Sequence, residues 1–288
     1  MPCVNGQNFT IPAQGDCRTE NLRFHVDGDR ALFCAMIGNT QLISPPPPTC
    51  KVAIVGLSPA DTQLQRFNDK YNRGASYEEA ALEAAFEGLG RDLVRMMNGL
   101  GVARKLGLHP LSENIDLNRS GHFLTTSLIK CASLTVNGSS SDFDPWKYES
   151  NVRCITERFV PEMLKHASIE HILVLGSKAQ KALTSKVRMH GVFVHDYLNE
   201  RGKVVSYLPH PSGANRESVD LASLGREDFP RMQQHQDRMW AKYITRQREK
   251  GEPLGDEASY KSTRASRWTA IARIRSAFDA YQIAAGDV

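Results

Sequence analysis

The sequence predicts an α/β fold, a three-layer α/β/α sandwich around a central, mostly parallel sheet of four or five strands. Short, largely β-branched apolar runs alternate along the chain with segments whose apolar residues recur at helical spacing. The runs are apolar on both faces, which is typical of strands buried between two layers of helices. Two of them end on glycine, at Gly56 and Gly176, which marks where each strand stops.

Length and composition fit a globular protein. The 288 residues suffice for one large domain or two small ones, and 41% hydrophobic with 24% charged residues is ordinary usage. A net charge of +4 tolerates a polyanionic partner without requiring one. No apolar run reaches the roughly 18–20 residues of a membrane helix, and the N-terminus lacks the pattern of a signal peptide. We therefore expect a cytoplasmic protein with no membrane partner.

Three regions are predicted along the chain. Residues 1–50 are rich in turn residues and include a stiff run of four prolines at 45–48, so we expect an irregular N-terminal segment packed on the core. The α/β domain follows over residues 51–222. Residues 223–288 are predicted to form a C-terminal helical extension, with helices at about 223–249 and 265–283.

The elements of the α/β domain follow from its periodicity. Strands are predicted at residues 51–56, 122–129, 171–176, 191–195 and 204–208. Helices are predicted at residues 148–166, at 177–185 with Ser177 as the cap, and at 77–100 as one helix or two. Residues 134–146 are predicted to form a polar loop.

Ligands of such a sheet bind beyond the carboxyl ends of its strands. The first strand is followed by Gly56-Leu57-Ser58-Pro59-Ala60-Asp61, where glycine and proline predict a tight turn. Outward backbone N–H groups of such a turn can hold a carbonyl or a phosphate. Asp61 is its only carboxylate. A plain loop with a helix-capping aspartate is the alternative.

The last strand is followed by a second polar segment, His210-Pro211-Ser212-Gly213-Ala214-Asn215-Arg216. Proline and glycine predict an irregular backbone beside His210, whose ring can donate a hydrogen bond. Ser212, Asn215 and Arg216 suit contacts to phosphate. The alternative is a polar turn with a solvated histidine.

The order of these pieces resembles the uracil-DNA glycosylase superfamily over residues 51–216, most of all its iron–sulfur branches from bacteria and archaea. Gly56-Leu57-Ser58-Pro59 is similar to the family's first motif and His210-Pro211-Ser212 to its last. Ala85-Phe86-Glu87-Gly88 is similar to the stretch whose phenylalanine stacks on the flipped base. Ser127-Leu128-Ile129-Lys130-Cys131 is similar to the family's Asn-x-x-Lys-Cys, with serine in place of asparagine.

The resemblance implies a DNA glycosylase, which flips a base out of DNA and hydrolyses its N-glycosidic bond to leave an abasic site. His210 would stabilise the departing base, and Asp61 would orient water and stabilise the cationic sugar. The residues implied in base binding are Gly56, Ser58, Phe86 and Ser127. The residues implied in DNA binding are Pro211, Ser212, Gly213, Asn215 and Arg216.

The substrate implied by the resemblance is uracil or a modified pyrimidine. Ser127 stands where the family's asparagine reads the edge of uracil. The shorter side chain leaves room for a larger base, such as a hypermodified cytosine of phage DNA in antiphage defence. We expect a monofunctional enzyme, because no lysine is placed in the candidate pocket: in an extended strand Lys130 points away if Ser127 points in.

Two other functions are weighed against this one. A catalytically silent DNA-binding protein on the same scaffold is the alternative, because residues of the family's first motif are missing. An unrelated α/β hydrolase is disfavoured, because the chain has no Gly-x-Ser-x-Gly elbow.

The cysteines raise the question of a cofactor. Cys131 and Cys154 match the family's second pair of iron–sulfur ligands, and Cys17 and Cys34 are the substitutes for its first pair. A [4Fe-4S] cluster needs four thiolates. Buried cysteines with no cluster are the alternative.

DNA is the expected partner, bound by a monomer at the nucleoid with no obligate protein partner. Basic residues of the C-terminal extension, among them Arg246, Arg248 and Lys250, could track the DNA backbone. A solvated helical face is the alternative, because acidic residues are interleaved with the basic ones.

Overall fold

The structure is a computed structural model of the chain. It describes residues 49–112, 117, 119–130, 144–212, 216–223 and 232–262, together with the backbone of three further short strands. Predictions that fall on other residues, such as the helix at 265–283, lie outside the described residues.

The strands, in chain order, are β1 (Arg23–Asp27), β2 (Arg30–Phe33), β3 (Val52–Gly56), β4 (Phe123–Ser127), β5 (Ala132–Thr135), β6 (His171–Leu175), β7 (Arg188–Met189), β8 (Val192–Phe193) and β9 (Val204–Leu208). The helices are α1 (Asp61–Asn72), α2 (Tyr77–Ala84), α3 (Gly90–Gly99), α4 (Val102–Lys105), α5 (Glu149–Cys154), α6 (Val160–Lys165), α7 (Ser177–Lys181), α8 (Val194–Asn199), α9 (Arg216–Ala222) and α10 (Met232–Lys250). π-helical turns at Ile155–Phe159 and Ala182–Lys186 extend α5 and α7.

A four-stranded parallel sheet forms the centre, in the order β4-β3-β6-β9. Every residue of β4 and β6 is buried, as expected of strands covered on both faces. In β4 the buried residues include the polar Thr125, Thr126 and Ser127. The predicted runs at 51–56, 122–129, 171–176 and 204–208 all form strands of this sheet. The flanking helices complete a three-layer α/β/α sandwich, so the predicted fold class is confirmed.

One face of the sheet packs on a helical layer made by α5 to α8. Ala53, Val55 and Val174 on this face are buried against Phe159 and Leu183 of the helices. Such burial contributes about 25 cal/mol per Å² of apolar surface and is the main favourable term of this layer. The opposite face is covered as well, because its apolar side chains are also buried, at Val52, Ile54, Phe123 and Leu173.

The strand register aligns the carboxyl ends of the sheet. Gly56 at the end of β3 lies opposite Ser127 at the end of β4. Hydrogen bonds continue past both ends, because the Leu128 N–H donates to the Gly56 carbonyl at 2.9 Å and the Ile129 N–H to the Leu57 carbonyl at 2.9 Å. The loops at this edge are therefore held at the same level as the strands that precede them.

The segment predicted as one helix or two at 77–100 is two helices. α2 ends at Ala84 and α3 begins at Gly90. The break contains Phe86, whose φ is +55°, a value that an α-helix cannot contain. The segment predicted at 148–166 is helical from Glu149 to Lys165, with a π-helical turn in its middle.

Two local predictions in this part of the chain differ from the structure. The strand predicted at 191–195 is only the two-residue β8, because positive φ angles at His190 and Gly191 close a tight hairpin and α8 already begins at Val194. Ser177 is the first residue of α7 and not its cap. Gly176 with a φ of +92° caps this helix without a side-chain hydrogen bond.

The N-terminal segment predicted as irregular contains two strands. β1 and β2 pair antiparallel, and β2 pairs in turn with β5. A strand as short as β2 carries too little periodicity to be told from a loop by sequence.

The contacts within the chain define two compact units. The first comprises Met1–Arg91 and Ser112–Pro211, and the second comprises Asp92–Leu111 and Ser212–Val288. All four central strands belong to the first unit. In the second, Arg95 of α3 pairs with Asp220 of α9 at 3.0 Å. The predicted boundaries at residues 50 and 222 stay a prediction.

A buried ion pair joins the end of β4 to α6. The Lys130 ammonium lies 2.5 Å from the Glu162 carboxylate, and the two side chains are only 11% and 8% exposed. The same ammonium donates to Thr126 Oγ1 at 2.5 Å. Two charges at this depth are stabilising only as a pair, because each alone would lack its hydration.

We expect Glu162→Gln to lower the free energy of unfolding by about 3–5 kcal/mol, because it leaves the Lys130 charge buried and uncompensated. Asp144→Asn is the matched control, since it breaks the exposed Lys147–Asp144 pair of 3.1 Å and should cost less than about 1 kcal/mol. Denaturant titration measures both. Equal small losses would contradict the prediction. Lys130→Met combined with Glu162→Leu should regain most of the loss.

Candidate active site

The turn after β3 is fixed by a side chain from the first turn of α1. The Ala60 N–H donates to Gln63 Oε1 at 2.8 Å, and the Gln63 N–H donates to the Ala60 carbonyl at 3.1 Å. Pro59 is buried and Ser58 is half-buried in the turn. Because Gln63 itself is only 8% exposed, the turn is anchored to the interior at its helical end.

Asp61 is the first residue of α1 and not its cap, since the cap position is Ala60. The alternative of a helix-capping aspartate is therefore wrong. The side chain of Asp61 lies outside the described residues. Its position is at the N-terminus of a 12-residue helix, where the helix dipole stabilises a negative charge.

Phe86 lies against the carboxyl end of β3. Its Cε1 is 3.9 Å from the position that a Cβ atom on Gly56 would occupy. The residue is 7% exposed, and its φ of +55° is strained for any residue with a Cβ. Such strain costs on the order of 1–3 kcal/mol and clusters at functional sites. The structure thus brings together two of the predicted base-binding residues.

Ser127 ends β4 beside Gly56 and is 7% exposed. Its hydroxyl donates to the Ile129 carbonyl at 2.7 Å. The only hydrogen of the hydroxyl is thereby used, and the oxygen retains its capacity to accept. An asparagine side chain would offer both a donor and an acceptor, so Ser127 cannot read a base edge in the same way.

His210 packs against Gly176, where β6 ends. A Cβ on Gly176 would lie 3.3 Å from the His210 Cβ and 3.4 Å from its Cδ2. Burial lowers the pKa of His210 below its ordinary value of 6.5, so the ring is neutral at pH 7. Within the part of the chain that the structure describes, no group hydrogen-bonds to this ring. A neutral imidazole keeps one N–H to donate and one nitrogen to accept.

The rest of the His210 segment is described in part. Pro211 is buried, and Ser212 is half-buried and belongs to the second compact unit. Arg216 is the first residue of α9, and only its backbone is described. Gly213 and Asn215 lie outside the described residues. The DNA-binding roles of these residues stay predictions.

The sheet topology sets the order of the site residues along one edge. Ser127, Gly56 and Gly176 follow the ends of three adjacent strands, and His210 follows the fourth. Neighbouring strands are about 4.8 Å apart, so the four strand ends near Ser127, Gly56, Gly176 and His210 span an edge of roughly 15 Å. This edge is wide enough to span a nucleotide.

Sequence reasoning missed two parts of this site. Gln63 holds the turn after β3, and its signal is the glutamine of a capping box three residues after the cap position, here with Ala60 in place of serine. The contact of Gly176 with His210 joins residues far apart in sequence, so no local pattern reveals it.

Of the four cysteines predicted to bind a cluster, Cys154 lies within the described residues. Cys154 is 5% exposed, and its Sγ accepts the Lys130 N–H at 3.4 Å. Cys131, Cys17 and Cys34 lie outside the described residues, so the iron–sulfur cluster stays a prediction. Cys50 is part of the core, where burial raises the pKa of its thiol to about 12.

The fold and the edge residues define an α/β domain with a candidate site at the carboxyl edge of its parallel sheet. The family model of the uracil DNA glycosylase superfamily matches residues 44–242, more than half of the chain, and the chain belongs to this superfamily. It is therefore assigned to the DNA glycosylases in general, hydrolases of N-glycosidic bonds in DNA. A catalytically silent protein on this scaffold is not favoured. No curated protein matches the chain. Among the described helices, each is too short or too polar to cross a membrane.

We expect His210 to make stability dependent on pH. Its pKa is lowered in the folded protein, so between that pKa and about 6.5 the unfolded chain binds a proton that the folded chain does not. The free energy of unfolding should therefore fall as the pH decreases from 7.5 to 5.5. His210→Gln removes this pH dependence. The free energy of unfolding of the wild type should therefore fall more than that of the variant as the pH decreases. Parallel stability curves over this range would refute the burial of a neutral His210.

Proposed function

We propose that this protein is a monofunctional DNA glycosylase that flips a pyrimidine out of DNA and hydrolyses its N-glycosidic bond. The observation that supports it most is the strained Phe86 packed on Gly56 beside Ser127 in a chain of this superfamily. Extruding a base costs a few kcal/mol. Stacking on an aromatic ring returns about 1–3 kcal/mol, so Phe86 would hold the extruded base.

Bond cleavage then needs charge stabilisation on both fragments. As the bond between the base and C1′ breaks, the base takes the electron pair and the sugar becomes oxocarbenium-like. The neutral His210 N–H would stabilise the departing base in this state, which is where binding energy accelerates the reaction. Asp61 at the start of α1 would orient the water whose oxygen bonds to C1′. The proton of that water ends on the base.

A lyase step would need a free amine as the nucleophile. Lys130, three residues after Ser127, donates hydrogen bonds from its ammonium to Glu162 and Thr126. A charged, buried and hydrogen-bonded amine is a poor nucleophile. This supports water as the nucleophile and a monofunctional enzyme.

The substrate is proposed to be uracil or a modified pyrimidine. Ser127 can accept a hydrogen bond from the base but has used its only donor on Ile129. The N4 amino group of a cytosine ring is a donor and suits such an acceptor, as does the N3–H of uracil. The short side chain leaves room for a substituent, and a hypermodified cytosine of phage DNA would assign the enzyme to antiphage defence.

The test of the reaction is base excision on a panel of labelled DNAs carrying uracil, hypoxanthine, hydroxymethylcytosine or glucosylated hydroxymethylcytosine. Alkali converts each abasic site into a strand break, and we expect breaks on one pyrimidine substrate. Asp61→Asn and His210→Ala should each lower the rate at least about 100-fold, as expected for groups that act in the transition state. Breaks before alkali would reveal a lyase. Intact DNA with normal binding would leave a silent DNA-binding protein.

Gly176→Ala should impair excision through His210. The new methyl group would crowd the histidine at 3.3 Å, in addition to the strain at a φ of +92°. Gly191→Ala is the matched control, because its φ is +85° and nothing lies within 4 Å of the added carbon. Both variants should lose about 1–2 kcal/mol of stability, and only Gly176→Ala should lose excision rate, by roughly tenfold or more. Equal rates in the two variants would show that the Gly176 contact does not position His210.

A further inference from the structure

A helical hairpin in the second compact unit carries a feature that the glycosylase reaction does not use. The hairpin consists of α10 and a short helix at 257–262. Trp240 and Tyr243 of α10 pack on Tyr260 of the short helix, with ring centroids 5.1 Å and 4.8 Å from that of Tyr260. The Tyr260 hydroxyl donates to the Met239 carbonyl at 3.1 Å. These contacts fix which face of α10 points inward.

The acidic residues of the hairpin are largely engaged within it. Lys261 pairs with Asp237 at 2.6 Å and with Glu257 at 2.8 Å. Lys250 lies 3.8 Å from Glu252. Asp237, Glu252 and Glu257 are therefore neutralised by Lys261 and Lys250.

The outward face of α10 presents a row of cations, defined here as Arg238, Lys242 and Arg246. Their spacing of four residues places them on one side of the helix, about 6 Å apart along its axis. All three are exposed, and among the described residues none of them has an ion-pair partner. Arg248 lies two residues beyond Arg246 and faces away from the row. Glu249 lies on the same side near its end.

The chemistry of the row fits a chain of phosphates. Arginine binds phosphate oxygens in a bidentate manner, and evenly spaced cations suit a repeating anion. The residues between the cations on this face are Ala241 and Thr245, which are too small to insert into a lipid surface as an amphipathic helix would. Charge complementarity thus favours a nucleic acid over a membrane.

We propose that the cation row of α10 is a second DNA-contact surface, in which Arg238, Lys242 and Arg246 bind phosphates of the duplex backbone. The inference rests on DNA being the partner in the proposed function. It assigns a role to the C-terminal extension, most of which lies beyond the family match that ends at residue 242. Such contacts carry no base specificity and raise affinity in a salt-dependent way.

The test is the salt dependence of binding to an undamaged 30-base-pair duplex, followed by fluorescence anisotropy. Each phosphate contact contributes about 0.9 to the slope of log affinity against log salt. The double variant Arg238→Gln, Lys242→Gln should therefore reduce the magnitude of this slope by about 2. Arg104→Gln with Lys165→Gln removes the same charge from exposed positions off the row and should leave the slope and the excision rate unchanged.

The outcomes separate this inference from the proposed function. Asp61→Asn should abolish excision and keep the full salt dependence of binding. Loss of catalysis and loss of the phosphate contacts made by the row are therefore distinct results. An unchanged slope in the row variant would overturn the inference and leave a solvated helical face. An equal reduction of the slope in the two double variants would also overturn it, because net charge rather than the position of the cations would then determine binding. Binding to phosphatidylserine vesicles that depends on the row, with DNA binding intact, would assign it to a membrane surface and equally overturn it.

Discussion

The parallel pairing of β3 with a strand on each side is the constraint on which the site depends. It places Gly56 in the middle of the carboxyl edge, with Ser127 on one side and Gly176 on the other. Hydrogen bonds beyond the strand ends hold the loops at this edge in the same register. A shift of one residue would exchange the side chains that pack on the two buried faces of β3 and disrupt the close packing of each, so the packing of the core also fixes the position of the site.

Two residues at or beside the edge have unusual backbone conformations. Phe86 and Gly176 both have positive φ angles, and each contacts or lies beside a residue predicted to act on the base. Gly176 also lacks the side chain that would collide with His210. The strain at Phe86 persists only where the surrounding packing imposes it, and Phe86 is buried against the end of β3. A rigid edge is what a glycosylase needs, because the flipped base and the reacting bond must be held within a fraction of an ångström.

Ion pairing within the protein, rather than the net charge, decides which cations are available to a partner. The net charge of +4 is small. Lys130 forms an internal ion pair with Glu162, and Lys261 forms ion pairs with Asp237 and Glu257. The cations of α10 remain exposed. A DNA-binding surface can therefore exist on a protein whose overall charge gives little sign of it, because only the unpaired charges attract phosphates.

The sequence by itself determined the fold class and the positions of the four central strands, because two-sided burial favours short, largely apolar runs bounded by turn residues, which can be recognised by their length and flanks. It also identified Gly56, Phe86 and Ser127, which lie together at the edge, through short motifs next to strand ends. Only the tertiary structure decided that Gln63 holds the turn, that Gly176 accommodates His210 and that the Ser127 donor is used on Ile129. These depend on contacts and hydrogen-bond geometry, which a linear pattern of residue types does not encode. The strand predicted at 191–195 is confirmed only at Val192–Phe193 for the same reason, since the hairpin at His190 and Gly191 is fixed by backbone angles that packing selects.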